Sequence, residues 1–193
     1  MYKRQNIPFI NNPKLKFYKS DIKNSEVILN LFRKYKITHV VHFAAESHVD
    51  KSILEPNIFI NSNIFGTFKL VDAFKIHWLE NGMKKNWRFL YVSTDEVYGS
   101  LNLNEPAFSE DCVHNPSSPY SASKSAAEQL IKAWNKTYGL PTLIVNCSNN
   151  YGPYQFPDKL IPLTITSILK GNKIPVYGAG ENIRDWIYVE DHC

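Results

Sequence analysis

The stretch Arg88-Phe89-Leu90-Tyr91-Val92-Ser93-Thr94-Asp95-Glu96-Val97-Tyr98-Gly99 decides the fold. Its apolar part, Phe89 to Val92, predicts a strand buried on both faces, as in a parallel sheet. The strand ends abruptly in two hydroxyl residues and two adjacent carboxylates. Open α/β sheets bind their ligands at the carboxyl ends of their strands, so these polar groups indicate a functional site there.

A second polar motif, Tyr120-Ser121-Ala122-Ser123-Lys124, stands at the start of a helical pattern. Tyr120 and Lys124 are four residues apart, so a helix places both side chains on one face. A nearby ammonium group is expected to lower the pKa of the phenol and make Tyr120 a base at neutral pH. The same spacing is common on ordinary helix surfaces, but Pro119 and the long loop that precedes it favour an active site.

The adjacent carboxylates Asp95 and Glu96 need a particular backbone to work together. Neighbouring residues of a strand point to opposite faces, so both can reach one substrate only if the chain turns or begins a helix at Thr94. With such a turn, one protonated and one ionised carboxyl group form an acid/base pair. The alternative is that both carboxylates are simply solvated.

Strands and helices alternate four times, which predicts a doubly wound parallel sheet of the α/β class. Residues 1–13 have no clear periodicity and predict a loop, and residues 99–119 predict a long loop that covers a site. After Ser148 the pattern becomes irregular. The predicted strands are Leu15–Lys19, His39–Phe43, 88–93, Thr142–Cys147, Ile174–Tyr177 and Asp185–Val189, and the predicted helices are Ser25–Tyr35, Pro56–Glu80 with an interruption at Gly66, 120–138 and Asp158–Lys170.

A sheet of this kind is expected to open with a strand and a glycine-rich turn that holds a dinucleotide pyrophosphate. The eight glycines are scattered and form no G-x-G-x-x-G motif. The chain also stops soon after an apolar run, without a closing helix. We therefore expect a fragment that lacks the first strand, the glycine-rich turn and most of a carboxyl-terminal region.

Composition excludes several classes of protein. The net charge of +4 is spread along the chain, which argues against a nucleic-acid partner. No apolar run approaches the length of a membrane span and the start lacks a signal peptide. Three cysteines without a pairing motif indicate a reducing compartment, the cytoplasm by default. The spacing of His42, His48 and Asp50 matches no standard metal site, so no metal is expected.

Four segments together resemble the dTDP-glucose 4,6-dehydratases of the extended short-chain dehydrogenase/reductase family. They are the Ser93–Gly99 stretch, the Tyr120–Lys124 motif, Ala44-Ala45-Glu46-Ser47-His48-Val49-Asp50, and Asn146–Pro153 with Lys159–Pro162. The resemblance implies a Rossmann-like fold, NAD as cofactor and a nucleotide-sugar substrate. It also implies that residues 1–157 are a partial NAD-binding domain, that residues 158–193 begin the nucleotide-sugar-binding region, and that the full-length protein is a homodimer joined through helices 56–80 and 120–138.

By this resemblance, Tyr120 takes a proton from the C4 hydroxyl of the sugar while hydride passes from C4 to NAD+. Glu96 then removes the C5 proton, protonated Asp95 helps the C6 hydroxyl leave as water, and the hydride returns to C6. Lys124 holds the ribose and tunes the tyrosine, and Thr94 binds near C4.

The resemblance further assigns residues to the two ligands. The cofactor residues it implies are Asp21, Ile22, Ala44, Ala45, Ser47, Ser62, Tyr120, Lys124 and Asn150. The substrate residues it implies are Ser47, Thr94, Asn149, Lys159, Leu160, Pro175, Tyr177 and Arg184. Lys51 replaces an arginine that is usual in the family, and a salt bridge is expected there.

Other functions remain open from the sequence. A UDP-glucose 4,6-dehydratase, a 4-epimerase or a nucleotide-sugar decarboxylase would share the fold, although an epimerase does not need Asp95 and Glu96. A non-catalytic NAD-binding protein is a more distant alternative, since it would not need the tyrosine, the lysine and both acids. The 193-residue chain itself is expected to be inactive because it lacks the pyrophosphate-binding turn.

Overall fold

The computed structural model describes residues 13–102, 104–176 and 178–193. The described chain divides into two compact units, one formed by Lys19–Cys147 and the other by residues 13–18 together with Ser148–Cys193. The loop predicted for residues 1–13 lies outside the described residues except for Pro13.

The unit Lys19–Cys147 contains a three-stranded parallel sheet. Its strands are β1 (His39–His42), β2 (Arg88–Thr94) and β3 (Thr142–Cys147), in the order β1-β2-β3. The register pairs Phe89 with Thr142 and Thr94 with Cys147, so β2 and β3 end side by side. The parallel sheet predicted from the sequence is confirmed, and it brings the polar ends of these two strands together.

Five α-helices accompany this sheet: α1 (Ser25–Tyr35), α2 (Val49–Leu54), α3 (Pro56–Phe59), α4 (Gly66–Glu80) and α5 (Pro119–Tyr138). Burial of large apolar side chains from α1, α4 and α5 against β2 forms the core, which is the main stabilising contribution in a sheet of this kind. Large buried side chains of this core include Phe32, Phe74, Trp78, Phe89, Tyr91 and Ile131.

The long helix predicted for Pro56–Glu80 is continuous but not uniform. A π-helix, Ile60–Phe65, joins α3 to α4. Gly66 was expected to interrupt the helix, and this is wrong, because its backbone is helical with φ of −61°. Its missing side chain instead makes room for Ile22, whose Cδ1 lies 2.7 Å from the position that a Cβ would occupy.

The unit that contains Ser148–Cys193 has two short parallel strands, β4 (Asn149–Tyr151) and β5 (Trp186–Tyr188). Helix α6 (Leu160–Leu169) confirms the helix predicted there, and α7 (Val189–His192) follows β5 directly. None of the described helices is both long enough and apolar enough to cross a membrane.

Two predicted strands are wrong. Residues 15–19 and 174–176 have no assigned secondary structure, and Tyr177 lies outside the described residues. Alternation of apolar and polar residues over four or five positions is a weak strand signal, because strand preference depends strongly on the surrounding structure. The ladders found in the described chain join β1, β2 and β3 to one another and β4 to β5.

The loop between β2 and α5 is tied back to the turn that follows β2. The Asn115 N–H donates to the Val97 carbonyl at 2.9 Å. Gly99 passes close to this point with φ of +95° and ψ of −144°, a conformation essentially restricted to glycine. A Cβ at Gly99 would lie 2.5 Å from the Asn115 carbonyl oxygen.

Gly99→Ala is expected to lower the free energy of unfolding by about 3 kcal/mol, because it adds a backbone clash to the cost of a positive φ. Gly139→Ala is the matched control. Gly139 has φ of +70° but nothing within 4 Å of its added Cβ, so it should lose only about 1 kcal/mol. Urea unfolding of both variants measures the difference, and equal losses would contradict the contact with Asn115.

Candidate active site

The chain turns at the residue that the acid/base interpretation requires. Strand β2 ends at Thr94, and a 3-10 turn, Asp95–Tyr98, begins immediately. The Thr94 hydroxyl accepts a hydrogen bond from the Glu96 N–H at 3.3 Å and donates to Asp95 Oδ1 at 3.2 Å. Thr94 therefore caps the turn that carries both carboxylates, and both are half-buried.

Helix α5 begins with a fully formed cap that fixes the position of Tyr120. Ser118 and Ser121 form a capping box, and Pro119 occupies the first helical position. The Tyr120 side chain, which lies in the first turn of this helix, is close to the Thr94 side chain. The Phe59 ring packs edge-on against Tyr120 with 6.4 Å between the ring centroids. The two sequence motifs thus meet at the end of β2.

The pKa of Tyr120 is raised, so the prediction that Lys124 would lower it is wrong for the protein alone. Burial is the largest cause, and the negative charge of Glu96 is the next. A phenolate there would lose solvation and stand beside carboxylates, which disfavours the charged form. Tyr120 therefore needs additional positive charge nearby before it can act as a base at neutral pH.

Lys124 lies one turn further along α5 and is 4% exposed. Its Nζ donates to the Val92 carbonyl at 2.7 Å and stands 4.2 Å from the centroid of the Tyr91 ring. Burial lowers the pKa of Lys124 to about 8. The carbonyl group and the aromatic ring hold the ammonium group in place. Because its pKa is lowered, a small change in its surroundings would alter its charge at physiological pH.

The last three carbonyl groups of β2 are each bound by a side chain. The Val92 carbonyl accepts from Lys124, the Ser93 carbonyl from Cys147 Sγ at 3.4 Å, and the Thr94 carbonyl from Asn146 Nδ2 at 3.2 Å. Asn146 and Cys147 are the last residues of β3 and were not among the predicted site residues. Their partners come from a different strand, and the available sequence signal was that both belong to the Asn146–Pro153 segment of the family resemblance.

A buried asparagine that the sequence analysis missed fixes the segment after β1. Asn63, on the π-helix, accepts from the Glu46 N–H at 2.8 Å and donates to the Glu46 carbonyl at 3.0 Å and to Ser123 Oγ at 2.8 Å. It therefore connects this segment to α5. A π-turn is a frequent feature of functional sites, and an asparagine within an apolar helical pattern was the available signal.

The segment that Asn63 holds contains three predicted cofactor residues. Ala44, Ala45 and Ser47 follow β1 and are exposed at the same edge of the sheet as the end of β2. Glu46 also forms the salt bridge expected of Lys51, with 3.8 Å between Lys51 Nζ and Glu46 Oε2.

A cavity of about 480 Å³ lies beside the remaining predicted cofactor residues. Two predicted cofactor residues, Asp21 and Ser62, line it together. Ile22, also predicted to lie near the adenine, occupies the space left by the side chain missing from Gly66. A polar cavity with an apolar residue beside it suits a nucleoside, so these residues fit NAD. The other residues that line the cavity are Lys23, Asn57, Ile58 and Asn61.

The histidines considered as metal ligands have structural partners. Buried His42 bonds through Nε2 to Thr67 Oγ1 at 2.9 Å, and His48 caps α2 by accepting from the Lys51 N–H. Within the described residues, no group of three or more histidine, cysteine or acidic side chains is placed to hold a metal ion.

The remaining predicted ligand-binding residues belong to the unit that contains Ser148–Cys193. Asn149 and Asn150 lie on β4, and Asn150 Oδ1 is 2.7 Å from Nδ1 of His192. Lys159 and Leu160 stand at the start of α6. Pro175 and Arg184 are exposed, and Tyr177 lies outside the described residues.

Comparisons with known proteins agree with these features. A family model described as GDP-mannose 4,6-dehydratase matches residues 3–193. The dTDP-glucose 4,6-dehydratase of Haemophilus influenzae is 52% identical over 184 residues, which cover 94% of this chain and 54% of that protein. An Escherichia coli dTDP-glucose 4,6-dehydratase is 50% identical, with 95% and 53% covered. The chain thus spans about half the length of the curated relatives that it matches.

Solved structures give the same result. The dTDP-glucose 4,6-dehydratase DesIV from Streptomyces venezuelae, with NAD and TYD bound, matches with a TM-score of 0.88 and 40% identity and covers 96% of this chain and 54% of that one. A UDP-glucuronic acid 4-epimerase from Bacillus cereus, in complex with UDP-glucuronic acid and NAD, matches with a TM-score of 0.83 and 30% identity, with 94% and 54% covered. The Rossmann-like fold expected from the sequence is confirmed.

Asn63→Ala is expected to destabilise the protein by about 2–4 kcal/mol, because it leaves the backbone N–H and carbonyl of Glu46 unpaired in a part-buried site. Asn61→Ala is the control on the same π-helix, since exposed Asn61 donates only within its own helix, to the Asn57 carbonyl. Urea unfolding measures both. A loss for Asn63→Ala no larger than that of the control would contradict the role of Asn63 in holding the segment after β1.

Proposed function

Because the chain belongs to the GDP-mannose 4,6-dehydratase family, we propose that its full-length protein is a dTDP-glucose 4,6-dehydratase. It converts dTDP-glucose to dTDP-4-keto-6-deoxyglucose and water, and it is an NAD-dependent lyase. The observation that carries this proposal is the meeting of Tyr120 with the Thr94-Asp95-Glu96 turn at the end of β2.

The cofactor residues of this proposal are those that the family resemblance implies. Asp21, Ile22 and Ser62 bind the adenosine end of NAD, Ala44, Ala45 and Ser47 contact its middle part, and Asn150 contacts the nicotinamide. When bound, the cofactor would accept the C4 hydride in its oxidised form and return it to C6 in its reduced form. The positive charge of the oxidised form would also favour the Tyr120 phenolate.

Tyr120 starts the reaction as the base that takes the C4 hydroxyl proton. Its contact with the Thr94 side chain orients the phenol, and the Thr94 hydroxyl binds the sugar near C4. The ammonium group of Lys124 holds the cofactor ribose.

The two carboxyl groups perform the elimination. A carbonyl at C4 acidifies the C5 hydrogen, so Glu96 can remove it as a proton. Asp95, protonated, donates to the C6 hydroxyl, which leaves as water. The turn that begins at Thr94 allows two adjacent acids to act on neighbouring carbons of one sugar.

Residues after Asn149 make most of the proposed nucleotide-sugar contacts. Arg184 suits the diphosphate because a guanidinium group can donate two parallel hydrogen bonds to it. We retain the division into a partial NAD-binding domain, residues 1–157, and the start of the substrate region, residues 158–193. The substrate residues of this proposal are Ser47, Thr94, Asn149, Lys159, Leu160, Pro175, Tyr177 and Arg184.

The proposal extends to assembly and location. The full-length protein is a homodimer that pairs through residues 56–80 and helix α5. Its location is the cytoplasm, in keeping with three cysteines, all within the described chain, that form no disulfide.

An epimerase is the alternative that the structural comparison raises. An epimerase returns the hydride to C4 and releases no water, so it has no use for an acid and a base at C5 and C6. The half-buried pair Asp95 and Glu96 therefore favours the dehydratase.

In the full-length protein, Asp95→Asn and Glu96→Gln are each expected to lower kcat at least about 100-fold, because each removes one proton transfer. Glu96→Gln should also abolish deuterium incorporation at C5 in D2O. Formation of the 4-keto-6-deoxy sugar, followed by NMR with dTDP-glucose and with UDP-glucose, measures both effects.

The exposed acids Glu110 and Asp111 provide the matched control, since they form a second adjacent pair. Glu110→Gln and Asp111→Asn should leave kcat within about twofold of the wild type. Conversion of the nucleotide sugar to its C4 epimer without loss of water would reject the dehydratase.

Asp21→Asn is expected to weaken NAD+ binding to the full-length protein roughly tenfold, since a charged acceptor for the adenosine end is lost. Asp50→Asn neutralises an exposed acid on α2, outside the cavity, and should leave affinity unchanged. Isothermal titration measures both. An unchanged affinity for Asp21→Asn would remove Asp21 from the cofactor site.

A further inference from the structure

A buried carboxylate that the proposed chemistry does not use stands behind the active site. Glu128 lies on α5, one turn after Lys124, and is 1% exposed. Burying a carboxylate costs several kcal/mol unless charges and hydrogen bonds compensate. An acid in this position therefore needs an explanation in its partners.

Both oxygens of Glu128 are engaged. Oε1 accepts from the Ser93 hydroxyl and from Asn146 Nδ2, the latter at 2.7 Å. Oε2 lies 3.4 Å from Nε2 of His114, which is on the loop before α5, and 3.7 Å from Nζ of Lys132. These partners come from β2, β3, the loop and α5, so the carboxylate joins four parts of the unit.

Glu128 and Lys124 hold neighbouring residues of β2. Lys124 donates to the Val92 carbonyl, and Glu128 accepts from the side chain of the next residue, Ser93. An anion and a cation four residues apart on one helix therefore bind adjacent positions of one strand. Asn146 extends this contact, because the same amide nitrogen donates to Glu128 and to the Thr94 carbonyl.

We propose that Glu128 is a positioning residue of the active site: its buried carboxylate is the counter-charge that keeps Lys124 an ammonium group on the Val92 carbonyl. The effect of Glu128 on the pKa of Lys124 has the sign that this role requires. Burial lowers that pKa to about 8, and the negative charge of Glu128 opposes the lowering. Without the carboxylate, burial would act with less opposition and neutral lysine would be populated at physiological pH.

Other titratable groups surround Glu128 and Lys124. Lys132 is half-exposed, so its charge is screened by solvent. Cys147 also raises the pKa of Lys124 and remains in every variant below. The groups that face Glu128 and Lys124 are Lys132 from α5, His114 from the loop, His42 from β1, Tyr91 from β2, Tyr98 from the 3-10 turn and Cys147 from β3.

The test is the titration of Lys124 in Glu128→Gln, which has the shape of the wild-type side chain without its charge. The full-length protein, labelled with 13C at the lysine Cε, is titrated by NMR, and Lys124→Arg identifies the signal by its loss. The pKa of Lys124 should fall by about one unit in Glu128→Gln. Lys132→Gln, which removes a half-exposed charge beside Glu128, should leave the pKa of Lys124 unchanged. Circular dichroism verifies that each variant is folded.

The catalytic consequence rests on the proposed function. If Lys124 must be charged, kcat/KM falls as pH rises through its pKa, and Glu128→Gln moves this fall to lower pH by the same shift. At pH 8 the loss relative to the wild type should be about fivefold. The NMR titration needs no turnover, so absence of dehydratase activity would reject the function without deciding the role of Glu128. An unshifted Lys124 titration in folded Glu128→Gln would overturn the proposal, even if activity were lost.

Discussion

The rest of the site depends on how the end of β2 is held. Three successive carbonyl groups, those of Val92, Ser93 and Thr94, are bound by side chains of α5 and β3. A strand end is normally free to shift, because the ladder stops there. Here these contacts fix the direction in which the chain leaves the sheet, and the 3-10 turn can present two adjacent carboxylates beside one phenol.

Much of the fold could be predicted because its signals are local. Strand Thr142–Cys147 has the bounds that its apolar run indicated, and α1 and α5 begin at the caps that Asn24 and Ser118 provide. The strand predicted for Leu15–Lys19 was wrong because alternation over five residues is a weak signal, which the surrounding structure can override. The same reasoning applies to residues 174–176.

The site was only partly predictable, since its geometry depends on contacts between distant segments. Tyr120, Asp95 and Glu96 stand out by their chemistry and by their positions after loops and strands. Asn63 and Glu128 act through partners on other elements, and neither belongs to a motif that sequence alone interprets. The pKa of Tyr120 shows the same limit, because burial and neighbouring carboxylates outweigh the lysine expected to control it.

The π-helix at Ile60–Phe65 also makes this region sensitive to the deletion of a single residue. A π-turn accommodates one residue more than an α-helical turn, and each residue of a helix corresponds to a rotation of about 100°. Deletion of a single residue here would restore a regular α-helix. It would also rotate α3, which precedes the π-helix, by that angle relative to α4. Phe59 would then face away from the Tyr120 ring, so the length of this short segment matters to the site as well as the identity of Asn63.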